Sequence, residues 1–259
     1  MSRLASRPLT LLAGLLMLAG CATIGGANYY SVQEEWQAGQ QLEQQINSQM
    51  RISRDRTLTG YVNRMGQAMV QQTEFRNLPW RFYVVEDDAI NAFNVPGGLV
   101  YINTGLIARA GSAAELAGAV AHEIGHGIAR HGTSRLSKAR DANVLAGAVL
   151  GSNPGAIGQI GAQVAAQGAF ASFSRADERE ADRIGVRLMA ASGYNPDGLA
   201  DLLRTLARQE GSGGGVKFFR SHPMSSERVR NVEQLARNID RRGLRMNDSG
   251  FDRVRRAAR

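Results

Sequence analysis

The stretch His122-Glu123-Ile124-Gly125-His126 lies inside a run of small and apolar residues that begins at Ala114. On a helix with 3.6 residues per turn, His122 and His126 share one face, and Glu123 lies about 100° round from His122. Two imidazoles on one face can bind one zinc ion, with a carboxylate beside a water molecule on that metal. The H-E-x-x-H pattern therefore predicts a catalytic zinc helix. The alternative is a buried helix that carries two histidines by chance.

The elements before this helix follow from hydrophobic periodicity and turn residues. Residues 31–50 and the spaced apolar residues from Leu58 to Met69 predict two packing helices. Arg81–Val85 is typical of a strand, and Pro96-Gly97-Gly98 between apolar runs predicts a hairpin. A sheet edge beside a cleft can bind an extended peptide as an added strand, or the hairpin can be purely structural. A capping box from Ser112 to Glu115 supports the start of the zinc helix.

A catalytic zinc site needs three protein ligands and an open position, so two histidines are not sufficient. Outside the motif the chain has only two further histidines, His131 and His222. His131 is the fifth residue after His126, which places it about 140° round the helix. We therefore expect His131 to face away from the metal, as a surface or helix-terminal residue.

Glu178 and Asp182 are four residues apart in a charged segment that follows the zinc helix, so they share one helical face. Glu178 is the predicted third zinc ligand, and Asp182 is predicted to accept an N–H from a ligating imidazole. Glu180 lies about 200° round from Glu178 and is expected to point elsewhere. A solvated helix face is the alternative. The position of the pair after the zinc helix favours the metal site.

The first twenty residues have a basic start, a short apolar run from Leu9 to Ala19 and small residues before Cys21. This order is typical of a bacterial export signal, because a membrane-spanning helix needs about 20 apolar residues. Leu18-Ala19-Gly20-Cys21 resembles the lipobox of lipoprotein precursors. Residues 1–20 are therefore the predicted signal peptide, and residues 21–30 are the predicted lipidated tether.

Cys21 is the only cysteine, so it cannot form an internal disulfide, and it is the predicted lipidation site. A free cysteine is the alternative. Ala22 follows it where some lipoproteins have Asp, and in the lipoproteins that this segment resembles, that choice implies passage to the outer membrane. We therefore expect a lipid-anchored protein that faces the periplasm, held by acyl chains rather than by a spanning helix.

The 259-residue chain carries a formal net charge of +8, which falls to +6 without Arg3 and Arg7. Much of the excess lies in residues 241–259, which we interpret as a basic tail after a domain at residues 31–240. Arginines in such a tail can contact anionic lipid or nucleic acid. An exported protein meets little nucleic acid, and the arginines alternate with few aromatic residues. A solvated tail without a nucleic-acid partner is the favoured interpretation.

Residues 132–173 are rich in Ala, Gly and Gln, with a break at Asn153-Pro154-Gly155. This pattern predicts two helices around a turn. The segment is a candidate for a mobile lid over the cleft, and an ordinary helical hairpin is the alternative.

Three motifs occur together in order: Ala121–His126, Glu178-Arg179-Glu180-Ala181-Asp182, and Ser221-His222-Pro223. Together with the hairpin, they make the chain between about Leu58 and Ile239 resemble the gluzincin zinc metallopeptidases of the HtpX, BepA and LoiP type. The same family holds the CAAX prenyl protease. The resemblance implies an α+β, mostly helical, zincin-like fold with a small sheet beside the zinc helix. We find no spanning helices and no helical-repeat domain, so a small lipoprotein member is the nearer analogue.

The resemblance implies one Zn²⁺ per chain, bound by His122, His126 and Glu178, with Glu123 as the catalytic base. The expected function is an endopeptidase that degrades misfolded or misassembled envelope proteins. One alternative is a chaperone-like assembly factor for outer-membrane proteins with little or no proteolysis. Another is an envelope anchor that acts through the basic tail. The natural substrate and the oligomeric state are not predicted.

His222 has three possible roles. It can stabilise the oxyanion of the reaction, it can close the open zinc position and keep the enzyme latent, or it can simply pack. The resemblance implies the second role, with Arg228 near the cleft.

Overall fold

The computed structural model describes residues 28, 30–145, 172–211 and 216–259. The predicted signal peptide, Cys21 and residues 146–171 of the predicted lid lie outside the described residues. Among the helices that are described, none is long and apolar enough to cross a membrane. The elements in chain order are α1 (Val32–Gln49), α2 (Arg56–Val70), β1 (Arg81–Val85), β2 (Ala92–Val95), β3 (Leu99–Asn103), α3 (Thr104–Arg109), α4 (Ala113–Ile128), α5 (His131–Leu145), α6 (Arg175–Ala191), α7 (Asp197–Gly211), α8 (Phe218–Ser221), α9 (Ser226–Arg237) and α10 (Phe251–Ala257).

The small sheet has the strand order β1-β3-β2, with β1 parallel and β2 antiparallel to β3. Gly97 and Gly98, in the turn between β2 and β3, have φ values of 93° and 73°. Side chains disfavour this left-handed region, so the turn needs glycine. The predicted hairpin is confirmed, and β2 forms a sheet edge that packs against α4. The predicted mostly helical α+β fold is also confirmed.

Helix α4 carries the H-E-x-x-H motif through the centre of the molecule, and every residue from Ala113 to Gly127 is buried. It packs against α6 and α7 and against the strands β2 and β3. A helix that is small and apolar on all sides can be enclosed in this way. The Ser112 hydroxyl accepts the N–H of Glu115 at 3.1 Å. The Glu115 carboxylate accepts the N–H of Gly111 rather than that of Ser112, so only half of the predicted capping box forms.

Glycines let α4 and α6 approach closely enough to bring their functional side chains together. A Cβ atom added at Gly125 of α4 would lie 2.7 Å from the carbonyl oxygen of Ala181 in α6. A Cβ atom added at Gly185 of α6 would lie 3.3 Å from the backbone of Ala121. These two glycines therefore allow the short distance between His122 on α4 and the carboxylates of α6.

We expect Gly125→Ala to destabilise the protein. Alanine gains about 1 kcal/mol of helix propensity over glycine. The added methyl group meets backbone atoms that cannot rotate away, and overpacking of this kind costs about 1–3 kcal/mol. The measurement is the free energy of unfolding in urea. Gly60→Ala is the matched control, because its Cβ meets only the mobile end of Arg64, at 3.2 Å. Equal stability of the two variants would contradict this account of the helix contact.

The interpretation of residues 241–259 as a solvated basic tail needs correction. The side chains of Phe251 and Val254 in α10 are buried, and α10 packs against α2 and α3. The Asn247 side chain and the Met246 carbonyl accept backbone N–H groups at the start of α4, both at 2.9 Å. Helix starts have unpaired N–H groups, so this segment completes the helix that carries the motif. The arginines made the segment appear polar, whereas its few apolar residues attach it to the domain.

Candidate metal centre

Three helical elements bring four side chains that could bind a metal ion to one point. His122 and His126 come from α4, Glu178 from the first turns of α6, and His222 from the residue that follows α8. One donor atom from each lies within 4.8 Å of the donors of all the others, and all four residues are buried. The sequence predicted three members of this cluster as ligands, and of the three roles open to the fourth, His222, the resemblance implied closure of the open zinc position.

Four of the distances between donor atoms are close to those of a tetrahedral metal site. Nε2 of His122 lies 3.0 Å from Nε2 of His126 and 3.2 Å from Nδ1 of His222. Oε1 of Glu178 lies 3.0 Å from Nδ1 of His222 and 3.3 Å from Nε2 of His126. Ligands that are 2.0–2.1 Å from a tetrahedral zinc ion lie about 3.3–3.4 Å apart. Three ring nitrogens and a carboxylate that converge in a buried position are a chemically suitable donor set for a metal ion.

Asp182 lies behind His122, where the sequence predicted it. Its Oδ1 atom is 2.9 Å from Nδ1 of His122. Burial and the charge of Arg228 lower the pKa of His122, but hydrogen bonds to Asp182 and Glu178 outweigh them and raise that pKa to about 9. The contact directs Nε2 of His122 towards the cluster, as expected for a carboxylate that orients a metal-binding imidazole.

Arg228 binds both carboxylates of α6 from behind the cluster. Its guanidinium donates to Asp182 at 2.7 Å and 2.8 Å, and it lies 2.6 Å from Oε2 of Glu178. Burial alone would raise the pKa of Glu178, but the charges of His222 and Arg228 hold it far below its usual value. Glu178 is therefore a carboxylate in this structure, as metal binding requires.

Glu123 is fully buried, and within the described part of the chain neither oxygen of its carboxylate has a hydrogen-bond partner. Its Oε1 atom lies 3.4 Å from Nε2 of His222. A buried carboxylate with so few polar contacts is costly to the fold. The carboxylate lies next to the cluster at the position that the motif predicted for a base.

The expectation that His131 faces away is wrong. His131 is 3% exposed, and its Nδ1 atom lies 2.9 Å from Nδ1 of His126. The 140° argument assumed a continuous helix, but α4 ends at Ile128 and Arg130 has a φ of 55°. This left-handed residue reverses the chain and places His131 over His126. Glu180, which was expected to point away from the metal ligands, contacts His131 instead, with Oε2 3.4 Å from Nε2 of that ring.

Two aromatic rings that the sequence did not single out cover the cluster. Phe173 stacks on His126 with ring centroids 3.9 Å apart, and Phe218 stacks on His222 at 4.3 Å. Phe173 lies shortly before the Glu178 motif, and Phe218 lies shortly before His222. This proximity in sequence was the only feature that could have predicted their position. Burial under these rings lowers the pKa of His126 well below its usual value.

The helix with H-E-x-x-H and the carboxylate from a second helix define a zincin-like metallopeptidase. The family model for peptidase family M48 matches residues 56–236. This chain belongs to peptidase family M48, which confirms the resemblance seen in the motifs.

Curated relatives agree with this assignment. The chain is 30% identical to the beta-barrel assembly-enhancing protease of Yersinia pestis over 86% of this chain and 48% of that protein. It is 31% identical to the mitochondrial metalloendopeptidase OMA1 of Schizosaccharomyces pombe, over 68% and 52% respectively. For the beta-barrel assembly-enhancing protease of Escherichia coli the identity is 27%, over 81% and 45%. The chain thus spans about half the length of these relatives.

Proposed function

We propose that this protein is a zinc-dependent endopeptidase of the bacterial cell envelope. The observation that carries the proposal is the buried convergence of His122, His126, Glu178 and His222 beside the buried carboxylate of Glu123. Nitrogen and carboxylate donors at tetrahedral spacing favour zinc over magnesium or calcium, which prefer oxygen ligands. His122, His126 and Glu178 are the proposed ligands of one ion per chain.

The proposed reaction is the hydrolysis of a peptide bond by water. When bound, zinc supplies a Lewis acid that polarises a carbonyl group and lowers the pKa of water. Glu123 accepts a proton from the attacking water and delivers it to the nitrogen of the leaving amine. Asp182 and Arg228 hold His122 and Glu178 in place through the contacts described above. The edge strand β2 is the proposed binding site for an extended peptide substrate.

The proposed substrates are misfolded or misassembled envelope proteins. Support comes from the relatives, whose names describe β-barrel assembly and a mitochondrial metalloendopeptidase. The basic start and apolar run before Cys21 support export and a lipid anchor in the outer membrane, with the domain facing the periplasm.

A test of the anchor is Cys21→Ser. The variant is expected to stay as an uncleaved or soluble precursor without acyl chains, because the thiol that would receive the lipid is absent. The measurements are the intact mass of the purified protein and its distribution between soluble and membrane fractions. A wild-type protein without lipid mass, together with unchanged fractionation of the variant, would refute the anchor.

His222 is the proposed latch of the enzyme, meaning a side chain that closes the fourth position of the metal site. Its Nδ1 atom is one of the four clustered donors, and that placement supports the latch over a role in packing. Backbone contacts hold it there, because the His222 N–H donates to Phe218 and the Phe173 N–H donates to Ser221.

We expect His222→Ala to raise the peptidase rate at saturating zinc. If the open state of the wild type has a population of about 1–10%, removing the latch raises the rate by about 10- to 100-fold. An oxyanion donor would behave in the opposite way, with a loss of about 10²–10³. The measurement is cleavage of an unfolded protein substrate. An unchanged rate would assign His222 to the structure alone.

The second candidate function is a chaperone-like assembly factor with little proteolysis. The observation that favours it is the same closed cluster, in which His222 takes the position that water would need. The Glu123→Gln variant distinguishes the two functions. An assembly factor keeps its effect on aggregation in this variant, whereas the effect of a peptidase on substrate turnover is lost.

A further inference from the structure

We propose that His131 is a positioning residue that sets the orientation and the tautomer of His126. The inference rests on the proposed metal site and assigns a partner to its second imidazole. His122 has Asp182 in this role. His126 has no carboxylate at its Nδ1 atom, and among the described contacts of Nδ1 the only one is with Nδ1 of His131, at 2.9 Å.

The two imidazoles can carry their protons in one consistent way. A neutral His126 that presents the lone pair of Nε2 to a metal must carry its proton on Nδ1. That Nδ1–H then donates to Nδ1 of His131. His131 carries its own proton on Nε2, which faces Oε2 of Glu180 at 3.4 Å and Oδ1 of Asp177 at 3.8 Å. In this tautomer Nδ1 of His131 carries no proton and can accept.

The turn at Arg130, directly before His131, holds the His131 ring in this position. Arg130 adopts a φ of 55°, a conformation that non-glycine residues rarely adopt. Its side chain fixes the turn, because Nε donates to the buried carboxylate of Glu35 at 2.7 Å and Nη2 donates to the Tyr30 carbonyl at 2.6 Å. A strained residue that persists in a protein indicates a constraint imposed by its surroundings. Here the strained turn places one imidazole directly behind another.

Three substitutions separate hydrogen bonding by His131 from simple packing. His131→Asn keeps an acceptor, Oδ1, at the place of Nδ1. His131→Gln keeps a polar group only near the place of Nε2, and His131→Leu keeps neither. Loss of the partner of a ligating histidine weakens metal binding by about 10–100-fold. We expect that loss for the Leu and Gln variants, whereas the Asn variant stays within about 3-fold of the wild type.

The experiment uses the full chain and measures zinc affinity by competition with a chromophoric chelator. Proton NMR of the cobalt-loaded protein adds a spectroscopic readout, because the exchangeable Nδ1–H of His126 is shielded from solvent only while His131 accepts it. We expect that signal in the wild type and in His131→Asn, and its loss through rapid exchange in His131→Leu. Urea unfolding of the metal-free variants shows whether each one is folded.

Two results would overturn the inference and leave the metal site standing. One is wild-type zinc affinity in all three variants, and the other is an equal loss in all three, which would indicate packing. Failure of the wild type itself to bind zinc or cobalt is a different result. It would refute the proposed function and the role of His131 with it.

Discussion

Glu123→Gln is expected to lower the peptidase rate by about 10²–10⁴, the usual contribution of a positioned acid–base group. The carboxylate is fully buried, and among the described residues its oxygens have no hydrogen-bond partner and lie within ion-pair distance of His222 alone, at 3.4 Å. Glutamine has the same shape but cannot accept the proton of the attacking water. Zinc content should therefore stay at the wild-type value while cleavage is lost.

This measurement is best made both in the wild type and in His222→Ala, because a latched enzyme has a low starting rate. Glu115→Gln is the matched control. Glu115 is a buried carboxylate on the same helix, eight residues or about 12 Å before Glu123 along the axis. The Glu115→Gln substitution should leave the peptidase rate unchanged. Equal cleavage by Glu123→Gln and the wild type, at equal zinc content, would exclude Glu123 as the base.

Arg228→Met is expected to destabilise the metal-free protein by about 3–5 kcal/mol, the usual cost of breaking a buried ion pair by removing one partner. Arg228 is 3% exposed and contacts the carboxylates of both Glu178 and Asp182. Its removal leaves two buried negative charges without their cation. Bound zinc compensates one of them at Glu178, so the loss should be smaller in the zinc-loaded protein.

The free energy of unfolding in urea, with and without zinc, tests this prediction. Arg204→Met is the control, because Arg204 pairs with Asp201 and Glu233 at the surface and its side chain is 43% exposed. Surface pairs of this kind contribute about 1 kcal/mol or less. A similar loss in both variants would show that Arg228 is not the structural cation of the metal site.

Local sequence patterns were sufficient where a regular element determined the geometry. Two histidines four residues apart on α4, and Glu178 and Asp182 four apart on α6, needed only the helical repeat. The Pro-Gly-Gly turn likewise predicted the hairpin of β2 and β3. These elements include the predicted metal ligands, the base and the partner of His122.

The sequence could not place residues whose position depends on where an element ends. His131 was placed on a continuation of α4, and the left-handed conformation of Arg130 is encoded by a tertiary contact with Glu35 rather than by a glycine. The stacking of Phe218 on His222 also depends on tertiary packing, since neighbouring ring residues have no periodic signal. The packing of α10 was hidden for a similar reason, because two buried residues lie among many arginines.

The central claim is that the buried cluster binds one zinc ion and that peptide cleavage depends on it. The most direct test is to remove metal from the full chain with a chelator, add zinc in steps and measure cleavage of an unfolded protein at each step. The account predicts no cleavage without metal and a linear rise that stops at one zinc per chain. Cleavage that persists in the metal-free protein, or zinc uptake far below one per chain, would contradict it.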